Sequence, residues 1–327
     1  MPKRQKQLEK WLATGCGLAD FELAPASEDA SFRRYFRITL PDGSTRIAMD
    51  APPEQEDCRP FVEVARRLAE VGVHSPAVHA QDLEQGFLLL EDLGDRAYLQ
   101  ALDDTTVERL YGDALGALMS MQACIDPEGL PEYDRALLLE EMELFREWLL
   151  ETHLSMALTG AEEKLLDEAF ALLADNALEQ PQVFVHRDFH SRNLMAGVAP
   201  APGVLDFQDA VRGPVTYDVV SLLRDCYVRW PRERVQEWAW GYFQLAVQSG
   251  VMREEHEEHF MRWFDLMGIQ RHLKAAGIFA RLYHRDHKPG YLADIPRTLE
   301  YVVEVGVEYE PLRPLADFVT DKVLTAL

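Results

Sequence analysis

The run Val185-His186-Arg187-Asp188-Phe189-His190-Ser191-Arg192-Asn193, followed after a short stretch by Leu205-Asp206-Phe207, sets an Asp, an Asn five positions on, and a second Asp past the next apolar segment. Phosphoryl transfer from a nucleotide needs one group to orient the attacking hydroxyl and oxygen ligands to hold Mg²⁺. H-R-D-x-x-x-x-N followed by D-F-x supplies both. Asp188 would face the hydroxyl as the base, and Asn193 and Asp206 would hold the metal. A polar turn with solvated acids is the plainer alternative, but three correctly spaced residues at strand ends weigh against it. A second copy, His284-Arg285-Asp286, fails the same test. Tyr291 stands where the Asn belongs, no Asp-Phe follows, and the preceding Gly277-Ile278-Phe279-Ala280-Arg281-Leu282 has helical character, so this copy is expected in a surface loop.

Elements must hold these residues in place. Val183-Phe184-Val185, Leu194-Met195 and Val204-Leu205 are short apolar runs of the kind that form buried strands. Earlier in the chain, residues 31–40 and 45–49 flank Pro41-Asp42-Gly43, which is turn chemistry, and predict a hairpin. Pro60 opens a helix running to Glu70, with Phe61, Val64, Ala65 and Leu68 on one face, and Phe87-Leu88-Leu89-Leu90 predicts another buried strand. Beyond Leu93 the periodicity is mostly helical, over residues 106–122, 135–153, 161–175, 216–227, 232–248 and 254–273. The expectation is an α+β, two-lobed fold: a small β-rich lobe over residues 1–93 with a hinge at 90–94, and a larger helical catalytic lobe over 94–327.

Composition narrows the partners. With 33 basic and 56 acidic residues the formal net charge is −23, which disfavours nucleic acid and anionic membrane surfaces, because each phosphate contact needs a cation. ATP remains admissible, since Mg²⁺ and a few local cations can neutralise it. Cys16, Cys58, Cys124 and Cys226 are scattered without a C-x-x-C pair, which suits a reducing compartment. The polar N-terminus does not form a signal-peptide core, and no apolar run approaches a membrane span; a cytoplasmic protein is expected.

In the order of these pieces the chain resembles the aminoglycoside phosphotransferase family, the small-molecule branch of the protein-kinase-like fold. Asp206-Phe207-Gln208-Asp209-Ala210 and Gly213-Pro214-Val215-Thr216-Tyr217-Asp218 carry the likeness. With Ser31-Phe32-Arg33-Arg34-Tyr35-Phe36-Arg37 and Met49-Asp50-Ala51-Pro52-Pro53 it narrows to the cell-wall sugar kinases that phosphorylate N-acetylmuramate and N-acetylglucosamine at C1. The resemblance implies ATP with Mg²⁺, supporting roles for His186 and Asp218, with Asp218 bonding the catalytic-loop backbone, and a nucleotide site taking in Ser31, Arg33, Arg34, Glu91 and Leu93. Asp218 is equally readable as a residue at a helix start.

The family pattern is broken in three places. No lysine stands between Lys10 and Lys164, and Asp50 lies near the position of the phosphate-binding lysine, so Arg33, Arg34 or Arg46 must carry that charge or sit as a solvated basic edge. The phosphate loop, Ala26-Ser27-Glu28-Asp29-Ala30-Ser31, has no glycine. Gln208 replaces the glycine after Asp206-Phe207, which suits a constitutively formed site.

Other residues admit two readings. Glu63 could pair with Arg34 or Arg46, or be a solvated helix charge. Arg224, Arg229 and Arg281 could hold the lactyl carboxylate of N-acetylmuramate, or line solvated helix faces. His256 and His259 are three apart, where a zinc helix needs four, so a solvated face is expected. Trp230, Trp238, Trp240 and Trp263 fall at core spacings, with one available to floor a sugar pocket. The competing functions are an aminoglycoside, choline or homoserine kinase of the same fold, and a catalytically idle scaffold. The intact base and metal ligands argue against the scaffold.

Overall fold

The computed structural model describes residues 2–28 and 32–327, with the side chains of Pro2, Ser27 and Glu28 left aside. In chain order its elements are α1 (Pro2–Thr14), β1 (Glu22–Glu28), β2 (Arg34–Thr39), β3 (Thr45–Asp50), α2 (Arg59–Glu70), β4 (Val78–Asp82), β5 (Phe87–Glu91), α3 (Tyr98–Ala101), α4 (Val107–Cys124) and α5 (Arg135–Leu144). There follow α6 (Gly160–Leu178), β6 (Gln182–Val185), β7 (Leu194–Met195), β8 (Gly203–Val204), β9 (Val211–Pro214), α7 (Tyr217–Leu223), α8 (Arg232–Gln248), α9 (Glu257–His284), α10 (Ile295–Gly306) and α11 (Arg313–Phe318). They fall into two compact units, Met1–Ala101 with Leu194–Asp209, and Leu102–Asn193 with Ala210–Leu327.

The first unit is built on an antiparallel sheet in the order β1-β2-β3-β5-β4. The predicted hairpin forms: β2 and β3 pair from Arg34↔Asp50 to Thr39↔Thr45, and Gly43 takes a φ of +82° in the turn. Asp42 fixes that turn by accepting the Ser44 amide at 2.9 Å. Alternation sends Phe36, Ile38, Ala48, Phe87 and Leu89 to one face, where Leu8 and Leu12 of α1 complete a core cluster. Helix α2 buries Phe61, Val64, Ala65 and Leu68, the face read from the sequence. Glu63, however, pairs with Arg66 and Arg67 of its own helix, not with Arg34 or Arg46. Residues three and four apart on a helix face one another on its surface, so the pair forms within α2.

The sequence texture places one division after Leu93, but the units are discontinuous. The β7–β8 hairpin belongs with the N-terminal segment: Met195 bridges Ala97, Gly203 bridges His74, and the Ala196 amide donates to Arg96 O at 2.8 Å. Gly203 is needed there, because a Cβ would lie 2.8 Å from a Leu93 methyl.

The second unit is organised around α9, 28 residues long and buried continuously from Trp263 to Lys274. The expected break after Leu273 does not occur. Lys274 interrupts the apolar pattern, but it is buried and paired, so the helix runs on to His284 and ends where the second His-Arg-Asp copy begins. Helix α5 starts at an Asp134 side-chain cap and passes into a π-helical stretch, Phe145–His153, where one regular helix was expected. Gly277 lets α9 touch that junction, since a Cβ would fall 2.3 Å from the Leu144 carbonyl carbon. Helix α8 has the predicted bounds, while α7 stops at Leu223, short of the expected Tyr227, and leaves Asp225 in the turn that follows. Strands β6 and β9 pair antiparallel, Gln182↔Pro214 to Val185↔Val211, and β6 delivers the chain to the His186-Arg187-Asp188 loop.

Candidate active site

In the second unit the loop after β6 is fixed from beneath by two buried carboxylates. Asp218, at the start of α7, accepts the His186 amide at 2.7 Å and the Arg187 amide at 3.0 Å. Asp218 thus opens α7 and at the same time accepts two backbone amides of the loop. Burial and the nearby Asp188 push Asp218 up to about 7, while the two amides act against that rise. Both of its oxygens accept an N–H of the loop. Asp225 does the same further along, accepting the Ser191 amide and the Tyr227 amide, each at 2.9 Å. Between these anchors the loop folds on itself: His190 N donates to Asp188 O at 3.0 Å, and the Asn193 amide group donates to the same carbonyl at 3.0 Å. Asp188 and Asn193 are thereby brought together with the donor end of Asn193 turned inward. The imidazole of His186 accepts the Asp188 amide at 3.2 Å, a supporting role for this residue.

The charge around Asp188 is positive. Burial alone would raise its carboxyl, but Lys274, His190, Arg187 and Arg271 together hold it below the usual range. His190 Nε2 stands 4.0 Å from Asp188 Oδ1, and burial lowers the His190 pKa. Arg187 has a φ of +77°, a region costly for a residue with a Cβ, and its guanidinium is secured on Glu141. Glu141 also takes Lys274 at 2.9 Å and the Tyr133 hydroxyl, while Lys274 donates to Tyr217 Oη at 2.9 Å. None of Glu141, His190, Asp225, Arg271 or Lys274 was singled out by sequence reasoning as functional. Only His190, lying inside the motif, had a signal that could have found it.

Asp206 belongs to the first unit. It too has a positive φ, +62°, and its carboxylate accepts Gln208 Nε2 at 2.9 Å. The same amide reaches Asp209 at 3.2 Å, and Phe207 packs on Phe61 with ring centroids 4.7 Å apart. The residue that replaces glycine therefore ties down the carboxylate two positions before it.

Residues 22–258 match the model of the phosphotransferase enzyme family. The chain belongs to that family. It is 51% identical over 305 residues to the N-acetylmuramate/N-acetylglucosamine kinase of Pseudomonas aeruginosa, covering 93% of this chain and 89% of that one. It is 43% identical to the like-named kinase of Neisseria meningitidis, covering 96% and 94%. Among solved structures, the Plasmodium vivax ethanolamine kinase superposes with a TM-score of 0.65 at 12% identity, over 90% of this chain and 86% of that one. The ADP-bound aminoglycoside phosphotransferase APH(2'')-Ib does so with 0.58 at 15%, over 90% and 97%. At such identities these likenesses speak for the fold alone, the kinase-like α+β fold that the motifs implied.

The other expected site residues of this phosphotransferase are found as follows. Ser31 lies outside the described residues. Arg33 pairs with Glu56 at 3.0 Å, and Arg34 pairs with the fully buried Asp50. Glu91 holds His74 at 3.1 Å, and Leu93 is buried. Arg224 is no solvated helix cation: it is buried and bound to Asp265. Arg229 is held by Glu300 and Glu304. Arg224 Nη1 has no hydrogen-bond partner among the described residues, while both terminal nitrogens of Arg229 are on carboxylates. His256 and His259 rest on the ring of Trp263, at 5.3 and 5.7 Å between centroids, and no metal-ligand cluster occurs among the described residues. Trp238 and Trp263 are core residues whose indole N–H groups bind Glu108 and Glu179. No described helix is long and apolar enough to cross a membrane.

Proposed function

We propose that this phosphotransferase carries the γ-phosphoryl group of ATP, with Mg²⁺, to the anomeric C1 hydroxyl of N-acetylmuramate and N-acetylglucosamine, in the cytoplasm, as a step of peptidoglycan recycling. The observation that carries the reading is identity of 43–51% to relatives named for these two sugars, over nearly the whole of both chains.

Asp188 accepts the hydrogen bond of the attacking hydroxyl and orients its oxygen. A carboxylate held below its usual range is a weak base. It suits a hemiacetal hydroxyl, which is more acidic than an ordinary sugar alcohol and needs less help to lose its proton. Asn193 and Asp206 are the metal ligands. A hard cation takes oxygen, and with the Asn193 side-chain nitrogen donating to Asp188 O, its carbonyl oxygen would be the ligand. Bound Mg²⁺ supplies neutralisation of the phosphate charge.

Arg34 is the best substitute for the missing lysine. It is the register partner of Asp50, so its guanidinium rests over the strand position where the family lysine is expected. Replacing Arg34 by Ala should raise the nucleotide KM about tenfold or more, the cost of a lost charge-assisted bond. Arg33→Ala, bound to Glu56, should do less. An unchanged nucleotide KM in Arg34→Ala leaves the hairpin a purely structural role. The reading as a whole is tested by ATP consumption against N-acetylmuramate, N-acetylglucosamine, kanamycin, choline and homoserine, with phosphorus NMR of the product. An anomeric phosphate is expected. A 6-phosphate, or turnover of an aminoglycoside with neither sugar accepted, would overturn it.

A further inference from the structure

N-acetylmuramate carries a lactyl carboxylate that N-acetylglucosamine lacks, and a chain this acidic must offer it a local cation. Arg224 is buried on Asp265, Arg229 is held by Glu300 and Glu304, and Arg281 is a half-buried residue of α9; one arginine of the catalytic loop is held differently from all three. Arg192 stacks on Tyr227, its Cζ 3.8 Å from the ring centroid, and faces Tyr291 at 5.0 Å. Its side chain keeps 36% of its surface accessible. The nearest carboxylate, Asp294, is 4.0 Å away, beyond the 2.7–2.9 Å of a charge-assisted hydrogen bond, and is shared with Arg297 at 3.5 Å.

The clamp around Arg192 is built from the same parts as the catalytic loop. Asp225 binds the amide of Ser191, just before Arg192, with one oxygen and the amide of Tyr227 with the other. Arg297 holds the Tyr227 carbonyl at 2.9 Å, and Phe279 stacks on Tyr291 with centroids 5.7 Å apart. The clamp also borders the reacting centre. His190 lies 5.4 Å from the Tyr227 ring and 4.0 Å from Asp188, so base, imidazole, phenol ring and guanidinium follow one another in contact. A guanidinium covered on its faces by aromatic rings keeps its N–H donors at the rim, in the planar fork that fits a carboxylate bidentately. Its rotamer freedom is already lost before a ligand arrives, which favours binding.

We propose that Arg192 reads the lactyl carboxylate of N-acetylmuramate and sets the preference between the two sugars. This rests on the sugar-kinase reading above. The test compares wild type and Arg192→Gln on N-acetylmuramate, its neutral methyl ester, and N-acetylglucosamine. The variant should lose about ten- to hundredfold in kcat/KM on N-acetylmuramate, mainly through KM, and change by less than about threefold on N-acetylglucosamine. Wild type should lose a similar factor when the carboxylate is esterified, a comparison that needs no variant to fold. The variant should no longer distinguish acid from ester. Equal losses on both sugars, or a wild-type enzyme indifferent to esterification, would overturn the assignment. Wild type that phosphorylates neither sugar removes the substrate reading itself, a result separable because N-acetylglucosamine turnover is measured first.

Discussion

Asp188→Asn should lower turnover by about 10²–10⁴, the usual worth of a positioned acid–base group, while nucleotide affinity and thermal midpoint stay near those of the parent. The substitution keeps the shape of the side chain, and the loop's two anchors, Asp218 and Asp225, do not depend on it. Because Lys274, Arg187 and Arg271 outweigh burial and hold Asp188 below the usual carboxylate range, it is ionised throughout neutral pH. No fall in rate between pH 6 and 8 should trace to its protonation. Asp206→Asn should behave differently, weakening Mg²⁺–nucleotide binding and turnover together. Full activity of Asp188→Asn on the true acceptor would refute its assignment as the base. Equal nucleotide affinity in Asp206→Asn and wild type, measured with Mg²⁺ present, would remove Asp206 from the metal site.

What could be read from the sequence was local. The β2–β3 hairpin follows from a turn tripeptide between alternating runs, the buried face of α2 from a 3.6-residue period, and the bounds of α8 from an opening Pro231 and a polar exit. The loop residues Asp188 and Asn193 follow from spacing, because a hydrogen-bonded loop of fixed length carries its geometry in its residue count. Asp218 was legible only through family resemblance, since nothing at residue 218 says that its carboxylate reaches back to amides at 186 and 187.

The departures from that reading come from packing. Glu63 took the second of its two readings, a surface helix charge paired within α2, whereas Arg224 fitted neither of its own, because packing buried it on Asp265. The cut after Leu93 failed to foresee that residues 194–209 join the first unit, because a two-residue strand finds its place by bridging Ala97 and His74, far away in sequence. The helical run read over 254–273 continues through Lys274 to His284. The burial of Lys274 makes sense only beside Glu141, whose own charge had no visible partner within its helix.

That buried cluster carries the second large expectation. Glu141 is 4% exposed and is the shared counter-ion of Arg187 and Lys274. Removing its charge takes the shared counter-ion from the buried Lys274 and the partly buried Arg187. Breaking a buried pair in this way costs about 3–5 kcal/mol, where the pair as a whole can be worth little against an apolar replacement. Glu141→Gln should therefore lower the thermal midpoint by roughly 10 °C. Turnover should fall as well, because Arg187 holds a left-handed backbone conformation next to the base and Glu141 secures its guanidinium. Adding Lys274→Met should return part of the stability, since the buried ammonium that Glu141 neutralised is then gone, with a coupling of about 1–3 kcal/mol in the double-mutant cycle. Acid provides an independent measure. Burial would raise Glu141, but Lys274 and Arg187 hold it below its ordinary 4.5. Its contribution is complete above that value and is lost as pH falls through the lower folded pKa. Glu141→Gln should be less stable than wild type at pH 7 and should lose less on acidification. A variant that unfolds at the wild-type midpoint, with the same acid dependence, would mean that Arg187 and Lys274 are held without Glu141.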